Sequence, residues 1–475
     1  MNIVLASVPI PEIPWNTGSF PPLGLLYLAA AVKPIPGVKV SLVDAFCEGL
    51  DVRQSVERIL SHSPDLVGLS MASRNLKEAA VLLAELKSVR PGLVTLAGGI
   101  HPTLFDHLLL KEIPSLDLVL RGEADEDFPE LCQRLLAGRE VAGVPGLSCR
   151  ARGKVRRGEP QLIENLDSLP FPDRSILDPT NYGSQWYGVN LPIMPRFTTM
   201  YSSRGCPFNC TFCAGVKFCQ NRLRTRSAEN VLAELLHLSR EGYEFIIFFD
   251  DNFTVDESRV EKLCRLIIEH RLTGNLAFAG TLHHLSDATL DLMHQAGFDL
   301  VFVGVESGSD AQLRRYRKSS TSQALAADIL RAKKANMITL ASFITGSKWE
   351  AESDHEATKN FVWKVRPHLC EINPLMVHPG SHLWDEVHAG QEPQTLEESE
   401  SRLISRFPGQ MPKALIKFRE RDFRRTFRRS WLHWRRITEI LDLIAHNPLF
   451  ARIFKTLLTR PLPLFKFYYW GRKRE

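Results

Sequence analysis

Cysteine, long apolar runs and secretion signals are all scarce or missing in this sequence. The chain has 9 cysteines in 475 residues, a density far below that of secreted scaffolds held together by disulfides. It contains no run of about 18 apolar residues, the length that a membrane-spanning helix needs. Its first residues, MNIVLASVPIPEIP, do not join a basic segment to a long apolar one, as a signal peptide does. We therefore expect a chain that resides in a reducing cytoplasm.

Positive charge is concentrated near one end of the sequence. Residues 401–475 contain 19 Lys and Arg against 5 Asp and Glu, a balance of +14, whereas the whole chain carries +5. The first 400 residues therefore carry −9 by difference. At 475 residues the chain is also too long for one ordinary domain. We expect two or three domains.

Short apolar runs alternate with amphipathic stretches over residues 1–140. Strands separated by helix-length segments indicate βαβ units and a parallel sheet. We predict a doubly wound, Rossmann-like α/β domain here, with ligands at the C-terminal ends of its strands. The predicted strands span 2–8, 38–43, 66–71, 93–97 and 116–120, and the predicted helices 23–32 and 76–89.

A second series of strands and helices follows a stretch rich in Pro and Gly. In residues 141–195 the apolar residues no longer recur at a regular spacing, and the segment includes Pro170 and Pro172. We therefore predict a linker there. The next predicted strands span 197–203, 245–249, 276–280, 300–305, 338–343 and 372–377, with helices between several of them, such as 228–241. So many βα repeats in 196–385 favour a partial (β/α)6, TIM-like barrel over another flat sheet.

Three cysteines lie together directly after the first strand of this second series. Cys206, Cys210 and Cys213 form a C-x3-C-x2-C array within SRGCPFNCTFC. Iron–sulfur clusters take thiolate ligands, and three thiolates on a short loop can hold three corners of a cubane while the fourth iron binds another ligand. A structural zinc ion with Cys219 or His237 as fourth ligand is one alternative. The simpler alternative is that these are three buried cysteines with no shared ligand.

The array resembles the signature of the radical S-adenosylmethionine superfamily, C-x3-C-x-Φ-C, with Phe212 at the aromatic position. The resemblance implies that Cys206, Cys210 and Cys213 hold a 4Fe-4S cluster whose open iron binds S-adenosylmethionine. It further implies reductive cleavage of that molecule to a deoxyadenosyl radical, which abstracts a hydrogen atom from substrate. Phe212 would then pack near the adenine.

Two later segments resemble strand ends of the same superfamily. Asp251, in FFDDNF over 248–253, would contact the methionine amino group, although the Asp pair could instead cap the next helix. Glu306 and Ser307, in VGVESGS over 303–309, would approach the ribose or carboxylate. A buried Glu without a ligand would be costly, which favours this role. Residues 343–350 lack the proline of the superfamily's Gly-x-Pro-x-Glu turn.

Features of the first domain resemble the cobalamin-binding domain of one large radical S-adenosylmethionine subgroup. They are FPPLGLLYLAA over 20–30, GGIHPT over 98–103 and RGE over 121–123. Gly98 and Gly99 would permit close backbone approach of a bulky ligand, and Ser70 would accept its nucleotide tail. By the same resemblance we place Glu123 among the cofactor-binding residues.

The sequence departs from cobalamin-binding proteins at the residue that would ligate cobalt. Many cobalamin proteins carry Asp-x-His-x-x-Gly, whose His ligates cobalt from below, whereas this chain has Asp44, Phe46 and Gly49. Phe cannot coordinate a metal. We therefore expect cobalamin without a His lower ligand. A degenerate domain that binds nothing and His101 as a substitute ligand are the alternatives.

The last region, 386–475, is basic and helical in period until Pro461. Its apolar side chains recur at three- or four-residue spacing on one face. They include Trp431, Trp434, Ile437, Ile440, Leu441 and Ile444. Such a helix can lie at an anionic membrane surface, or it can cover the barrel with its arginines in solvent. No nucleic-acid partner is expected.

The domain order resembles class B radical S-adenosylmethionine methyltransferases. It implies C-methylation of an unactivated carbon in a small, lipophilic or secondary-metabolite substrate, with cobalamin as methyl carrier. Flavodoxin or ferredoxin would supply electrons. The same order resembles the anaerobic cyclase that acts on Mg-protoporphyrin monomethyl ester, so oxidative ring formation or rearrangement is an alternative. A non-catalytic cobalamin or zinc sensor is an alternative of another class.

Overall fold

The computed structural model describes residues 1–10, 20–182, 185–186, 189–190, 196–272, 274–404, 409–433, 435–451 and 455. The chain divides into two compact units. The first comprises Met1–Asn190 and Gln391–Ser405, and the second comprises Leu191–Gly390 and Arg406–Glu475. Much of the predicted linker therefore belongs to the first unit, and so does part of the predicted C-terminal region.

The first unit contains a seven-stranded sheet. Its strands are β1 (Asn2–Ser7), β2 (Lys39–Asp44), β3 (Leu66–Ser70), β4 (Val94–Gly98), β5 (Leu118–Leu120), β6 (Leu147–Ala151) and β7 (Lys154–Arg156). Its helices are α1 (Leu23–Val32), α2 (Val52–Ser61), α3 (Leu76–Val89), α4 (Ile100–Glu112) and α5 (Asp127–Leu136). Three 3-10 turns follow at Leu166–Ser168, Arg174–Ile176 and Pro179–Asn181, and then the short paired strands β8 (Gln185–Trp186) and β9 (Val189–Asn190).

The strand order is β2-β1-β3-β4-β5-β6-β7, and β1 to β5 are parallel. Strands β6 and β7 add antiparallel to β5. Alternate side chains of β1 enter two separate cores, because Ile3 and Leu5 pack with α1 and α5 whereas Val4 and Ala6 pack with α2 and α3. Helices thus cover both faces, which confirms the doubly wound prediction.

The second unit contains a six-stranded parallel sheet whose order follows the chain. Its strands are β10 (Phe197–Met200), β13 (Phe245–Phe248), β14 (Asn275–Ala279), β15 (Phe298–Glu306), β16 (Ile338–Thr345) and β17 (Leu369–Pro374). A separate two-stranded ribbon comprises β11 (Ser203–Arg204) and β12 (Arg224–Thr225). The helices are α6 (Gly215–Cys219), α7 (Ala228–Arg240), α8 (Glu257–Glu269), α9 (Asp287–Gln295), α10 (Asp310–Arg315), α11 (Ser322–Lys334), α12 (Glu352–Val365) and α13 (His382–Val387).

One core lies between this sheet and its helices. Val301, Val303 and Val305 of β15 and Phe343 of β16 belong to it, together with side chains of α7, α8, α9, α11 and α12. The alternate residues, such as Gly304 and Ser342, face the other side and are only half-buried. A parallel sheet in chain order with helices on one face is the arrangement of a TIM-type barrel. The predicted partial barrel of six strands is confirmed.

After α13 the chain contributes α14 (Leu396–Ile404) to the first unit. Two further helices, α15 (Lys413–Trp431) and α16 (Arg435–His446), belong to the second unit. Phe423 and Phe427 of α15 lie within the barrel core, so this helix covers the barrel. Trp434 and the residues after 455 lie outside the described residues. No helix in the described ranges has the length and apolar character to cross a bilayer.

Candidate functional site

The cysteine loop leaves the sheet after β10 and is closed at its base by the ribbon of β11 and β12. Ser203 pairs with Thr225 and Arg204 with Arg224. Gly205 has a φ of +87°, and a Cβ there would overlap the carbonyl oxygen of Arg222. Only glycine fits such a position without strain. The glycine before the first cysteine therefore lets the loop turn back against its own other end.

The three predicted ligand cysteines project from this loop as free thiols. Cys206 and Cys210 are half-buried, and Cys213 is exposed. The pKa of Cys206 is raised to about 11, chiefly by burial and to a smaller extent by nearby Asp251, Cys210 and Cys213, against a backbone hydrogen bond from Phe208. A metal must displace these protons, because thiolates are the ligands. Unmetallated, the loop thus holds its thiols in the neutral form.

Cys219, the alternative fourth ligand, already has a hydrogen-bond partner within the loop. It is buried, and its Sγ donates to the carbonyl oxygen of Gly215 at 2.7 Å. His237, the other predicted zinc ligand, lies exposed in the last turn of α7. Among the described residues no three His, Cys, Asp or Glu side chains are already arranged as a metal-binding group. The described loop therefore shows no preset four-ligand geometry, and Cys206, Cys210 and Cys213 as cluster ligands stay a prediction.

Two consecutive aspartates after β13 hold the start of the loop. Asp250 is buried and accepts hydrogen bonds from Ser202 N at 2.7 Å and from Ser203 Oγ at 2.8 Å. Asp251 Oδ2 accepts the backbone N–H of Gly205 at 3.0 Å. The alternative that this pair caps the next helix is wrong, because Asp256 caps α8. Asp251 therefore lies beside the loop, where its predicted contact with S-adenosylmethionine stays a prediction.

The turn after α10 holds the other side of the loop. Thr211 donates its N–H to the carbonyl oxygen of Tyr316 at 2.9 Å and its hydroxyl to that of Arg315 at 3.3 Å. Phe212 packs edge-on against the Tyr316 ring, with centroids 5.5 Å apart. Leu383 at the start of α13 donates its N–H to Thr211 O at 2.8 Å. The aromatic residue of the motif is thus fixed by packing, half-buried beside the thiols.

Glu306 and Ser307 end β15 in different surroundings. Glu306 Oε1 accepts from Lys318 Nζ at 3.2 Å, and both side chains are largely buried. The Ser307 hydroxyl is 3.3 Å from Thr358 Oγ1 and accepts the N–H of Ser309 at 3.1 Å. Ser307 is therefore already engaged with α12. Sequence reasoning missed Lys318, because nothing distinguishes it from the neighbouring arginines of its basic run.

The turn after β16 forms without the proline that the superfamily's Gly-x-Pro-x-Glu motif has at this place. Glu350 Oε2 accepts the N–H of Gly346 at 2.6 Å. Arg419 of α15 lies 3.1 Å from Glu350 Oε1 in an ion pair that is almost fully buried. The Glu of the motif thus folds back onto its own turn, and a helix from the C-terminal region neutralises it. Sequence reasoning also missed Arg419.

In the first unit, Ser70 and the two predicted glycines lie side by side. Ser70 of β3 pairs with Gly98 of β4, and both end their strands. Gly99 has a φ of +108°, and a Cβ there would lie 2.8 Å from the carbonyl oxygen of Met71. A Cβ on Gly98 would meet nothing closer than 3.6 Å. Gly99 is therefore required by the fold itself, whereas a Cβ on Gly98 would make only an ordinary contact with Leu120 O.

The other predicted residues of this unit make internal contacts. Glu123 Oε2 accepts the N–H of Ile163 at 3.0 Å, and Arg121 donates to the carbonyl oxygen of Gly158 at 2.6 Å. His101 is fully buried, and its Nδ1 lies 2.9 Å from Ser73 Oγ. A side chain that lined an open cavity would retain exposure. His101 is thus packed within the unit, and its buried Nε2 has no hydrogen-bond partner among the described residues.

The segment with Phe46 follows β2, which is the edge strand of the sheet. Its preceding Asp44 accepts from Ser7 Oγ at 2.6 Å and from the Tyr182 hydroxyl at 2.9 Å. Ligands of doubly wound sheets bind where the strand order reverses, here between β1 and β3. Phe46 therefore lies one strand away from that point.

Two family models match the chain, one for each unit. The model described as "Radical SAM superfamily" matches residues 200–362, and the "B12 binding domain" model matches residues 17–132. An uncharacterized methyltransferase of Pyrococcus horikoshii is 32% identical over 391 residues, which cover 81% of this chain and 83% of that protein. The chain belongs to the cobalamin-binding radical S-adenosylmethionine enzymes.

Other members of this family match at lower identity. The anaerobic magnesium-protoporphyrin IX monomethyl ester cyclase of Rubrivivax gelatinosus is 29% identical over 381 residues, covering 78% of this chain and 67% of the cyclase. The solved cobalamin-dependent S-adenosylmethionine radical enzyme OxsB, with aqua-cobalamin bound, has a TM-score of 0.65 at 20% identity. That match covers 85% of this chain, which spans only 55% of OxsB. At this identity it supports the fold alone.

Membership of the cobalamin-binding radical S-adenosylmethionine enzymes implies a 4Fe-4S cluster, S-adenosylmethionine and cobalamin. The donor chemistry of the loop fits the cluster, because it offers three closely spaced thiols. In the first unit the strand ends carry the short side chain of Ser70 and no side chain at Gly98, which suits close backbone approach of a bulky ligand. The family acts on small molecules and usually needs a reductant.

Proposed function

We propose that this enzyme transfers a methyl group to an unactivated carbon of a small molecule. The observation that carries the proposal is the presence in one chain of a three-thiol loop after the first barrel strand and a doubly wound unit whose strand ends carry Ser70 and Gly98. When bound, the cluster and S-adenosylmethionine supply a radical, and cobalamin supplies the methyl group. The named methyltransferase relative, matched over 83% of its length, supports this choice.

The inner face of the barrel indicates the kind of substrate. Gly304, Ser342 and Glu371 lie in register across three neighbouring strands. Apolar Phe302 and Ile344 share that face by strand alternation and are half-buried. We propose a substrate that is largely apolar and carries at least one hydrogen-bond donor for this polar row. This is consistent with a lipophilic or secondary-metabolite compound.

We further propose that cobalamin binds without a His lower ligand. Phe46 cannot coordinate cobalt, and His101 is fully buried against Ser73. The test is the EPR spectrum of the protein loaded with cob(II)alamin. We expect no nitrogen splitting from a protein imidazole, and a splitting that disappears in His101→Gln would overturn this proposal.

Flavodoxin or ferredoxin as reductant, and a membrane contact through the C-terminal region, remain predictions. In favour of the latter, Leu432 and Ile437 are 87% and 64% exposed. Against a membrane role for all of this region, the apolar face of α15 is buried in the barrel core. A membrane contact would therefore involve α16 and its surroundings rather than the inner face of α15.

The decisive experiment needs no substrate. The anaerobically reconstituted, reduced protein is incubated with cob(I)alamin and S-adenosylmethionine labelled in its methyl group. We expect label in the bound cobalamin and release of deoxyadenosine. Cys210→Ala should abolish the deoxyadenosine, since the cluster supplies the electron that cleaves S-adenosylmethionine.

The two alternatives give different results in that experiment. Deoxyadenosine without labelled cobalamin would favour radical cyclisation or rearrangement, for which the Rubrivivax gelatinosus cyclase is the relevant relative. Neither product would favour a non-catalytic sensor. Each result thus assigns the protein to one of the three classes.

A further inference from the structure

We propose that Lys318 is a fixed positive charge beside the cluster that raises the cluster's midpoint potential and that Glu306 positions it. This role rests on the cluster being held by Cys206, Cys210 and Cys213, and it does not depend on methyl transfer. It assigns a function to a buried cation that the superfamily motifs in this sequence do not include.

Lys318 is held in one place by two contacts. Its Nζ lies 3.2 Å from Glu306 Oε1, and its side chain is only 12% exposed. Its backbone N–H donates to the carbonyl oxygen of Leu313 at 2.9 Å, which fixes the turn after α10. A buried ammonium needs a partner to remain charged, and Glu306 supplies it. The charge is therefore permanent and has little freedom to move.

The turn that carries Lys318 is joined to the cysteine loop one residue after Cys210. Thr211 donates to the carbonyl oxygens of Tyr316 and Arg315, and Phe212 packs on the Tyr316 ring. The turn of Lys318 is thus packed against the residues that directly follow Cys210.

The backbone of β15 is distorted where the pair lies. Glu306 has a φ of +66°, and the register with β16 shifts between Gly304 and Glu306. A Cβ on Gly304 would lie 3.2 Å from Lys318 Nζ and would overlap Glu306 Oε1. Strained backbone persists where surrounding contacts enforce it, and it is concentrated at functional sites. The strand thus bends and lacks a side chain where the ion pair needs room.

The physical effect of such a charge has a definite sign. Reduction adds one negative charge to the cluster, so a nearby cation stabilises the reduced form more than the oxidised form. Net charge and hydrogen bonds around a cluster are known determinants of its potential. Glu306 opposes this effect, because its carboxylate is the compensating anion. Removing the cation and removing the anion should therefore move the potential in opposite directions.

The test is an EPR-monitored potentiometric titration of the full-length, anaerobically reconstituted protein without S-adenosylmethionine. Lys318→Met should shift the midpoint to more negative potential, and Lys318→Arg should stay near the parent value. Glu306→Gln should shift it to less negative potential. Lys359→Met is the matched control, because Lys359 is also a half-buried lysine that pairs with carboxylates, those of Glu356 and Asp422 in α12 and α15.

Iron and sulfide content of each variant shows whether the cluster is loaded before its potential is compared. Shifts in the same direction for Lys318→Met and Glu306→Gln, or no shift for Lys318→Met, would overturn the proposal and leave a purely structural ion pair. If Lys318→Met does not load, Glu306→Gln decides alone, since only an electrostatic role predicts a less negative potential. Failure of methyl transfer would leave these potentials unchanged.

Discussion

The two units use the same βα repeat but connect their strands differently. In the first unit the order β2-β1-β3 reverses once, and two cores form on opposite faces of the sheet. In the second unit the order never reverses, and the described helices share one core on one face. The first arrangement opens a single crevice between two strand ends, whereas the second leaves one whole face of the sheet for a ligand.

This difference decides what the motif residues do. In the first unit, Glu123, Arg121 and His101 contact the protein itself, and Gly98 is the predicted position for close approach of a ligand. In the second unit, Asp250 and Asp251 hold the backbone of the cysteine loop while the three thiols remain free. A motif therefore supplies ligands only where the surrounding topology leaves side chains without internal partners.

The largest expected effect concerns the free thiols of the second unit. Cys210→Ala should lose the cluster and all deoxyadenosine formation, because two thiolates cannot hold three corners of the cubane. Cys219→Ala should keep both, since Cys219 donates to Gly215 within the loop. Iron and sulfide analysis with visible absorbance measures the loading. An equal loss of cluster and of deoxyadenosine formation in the two variants would mean that the cluster ligands are misassigned.

A second prediction tests whether the single core of the second unit extends into α15. Phe427 is 2% exposed and belongs to the barrel core, so Phe427→Ala should lower the free energy of unfolding by about 3–5 kcal/mol. Phe418→Ala on the same helix, at 47% exposure, should cost about 0.5 kcal/mol or less. Urea unfolding followed by circular dichroism measures both. Similar small losses would argue that α15 does not cover the barrel.

A third prediction separates fold from ligand at the crevice of the first unit. Gly99→Ala forces a side chain into a φ of +108° and against Met71 O, which should cost about 3 kcal/mol of stability. Gly98→Ala should leave the fold unchanged but weaken cobalamin binding, because its Cβ would hinder the close approach of the ligand beside β3. Thermal unfolding and cobalamin titration of both variants measure the two effects. Unaltered cobalamin affinity in Gly98→Ala would place the ligand elsewhere.

Elements were predictable from sequence wherever local pattern determines them. The helices over Leu23–Val32 and Leu76–Val89 have the predicted bounds, because both segments are rich in Leu and Ala, which favour helix. Strand order is not local, so the sequence could not indicate that Phe46 follows an edge strand. The pairing of Tyr182 with Asp44 joins residues 138 positions apart, and no periodicity reports such a contact. The predicted linker, 141–195, includes β6 and β7, and their antiparallel pairing onto β5 and β6 is likewise not visible in a local pattern.

The sequence also could not predict which charged side chains are buried. Lys318 follows a run with three arginines, and which cation turns inward depends on Glu306 and on the loop bonded to Tyr316. Arg419 lies in an equally basic helix. Among the described residues, it is the cation that forms an ion pair with Glu350. Composition indicated a basic C-terminal region, but it could not separate the cations that pair inside the barrel from those in solvent.

The smallest predicted effect tests whether His101 belongs to the core of the first unit or to its ligand site. Burial lowers the pKa of His101 to about 4, so between this value and the ordinary 6.5 the unfolded chain binds more protons than the folded one. Stability should therefore fall as the pH falls through that window, by about 2 kcal/mol between pH 7 and pH 5. His101→Gln should remove this part of the pH dependence, whereas the more exposed His62→Gln should retain it. Urea unfolding at both pH values measures the difference. If His101→Gln keeps the full pH dependence, the imidazole is not desolvated by the fold, and a place for it in the ligand crevice becomes the better explanation.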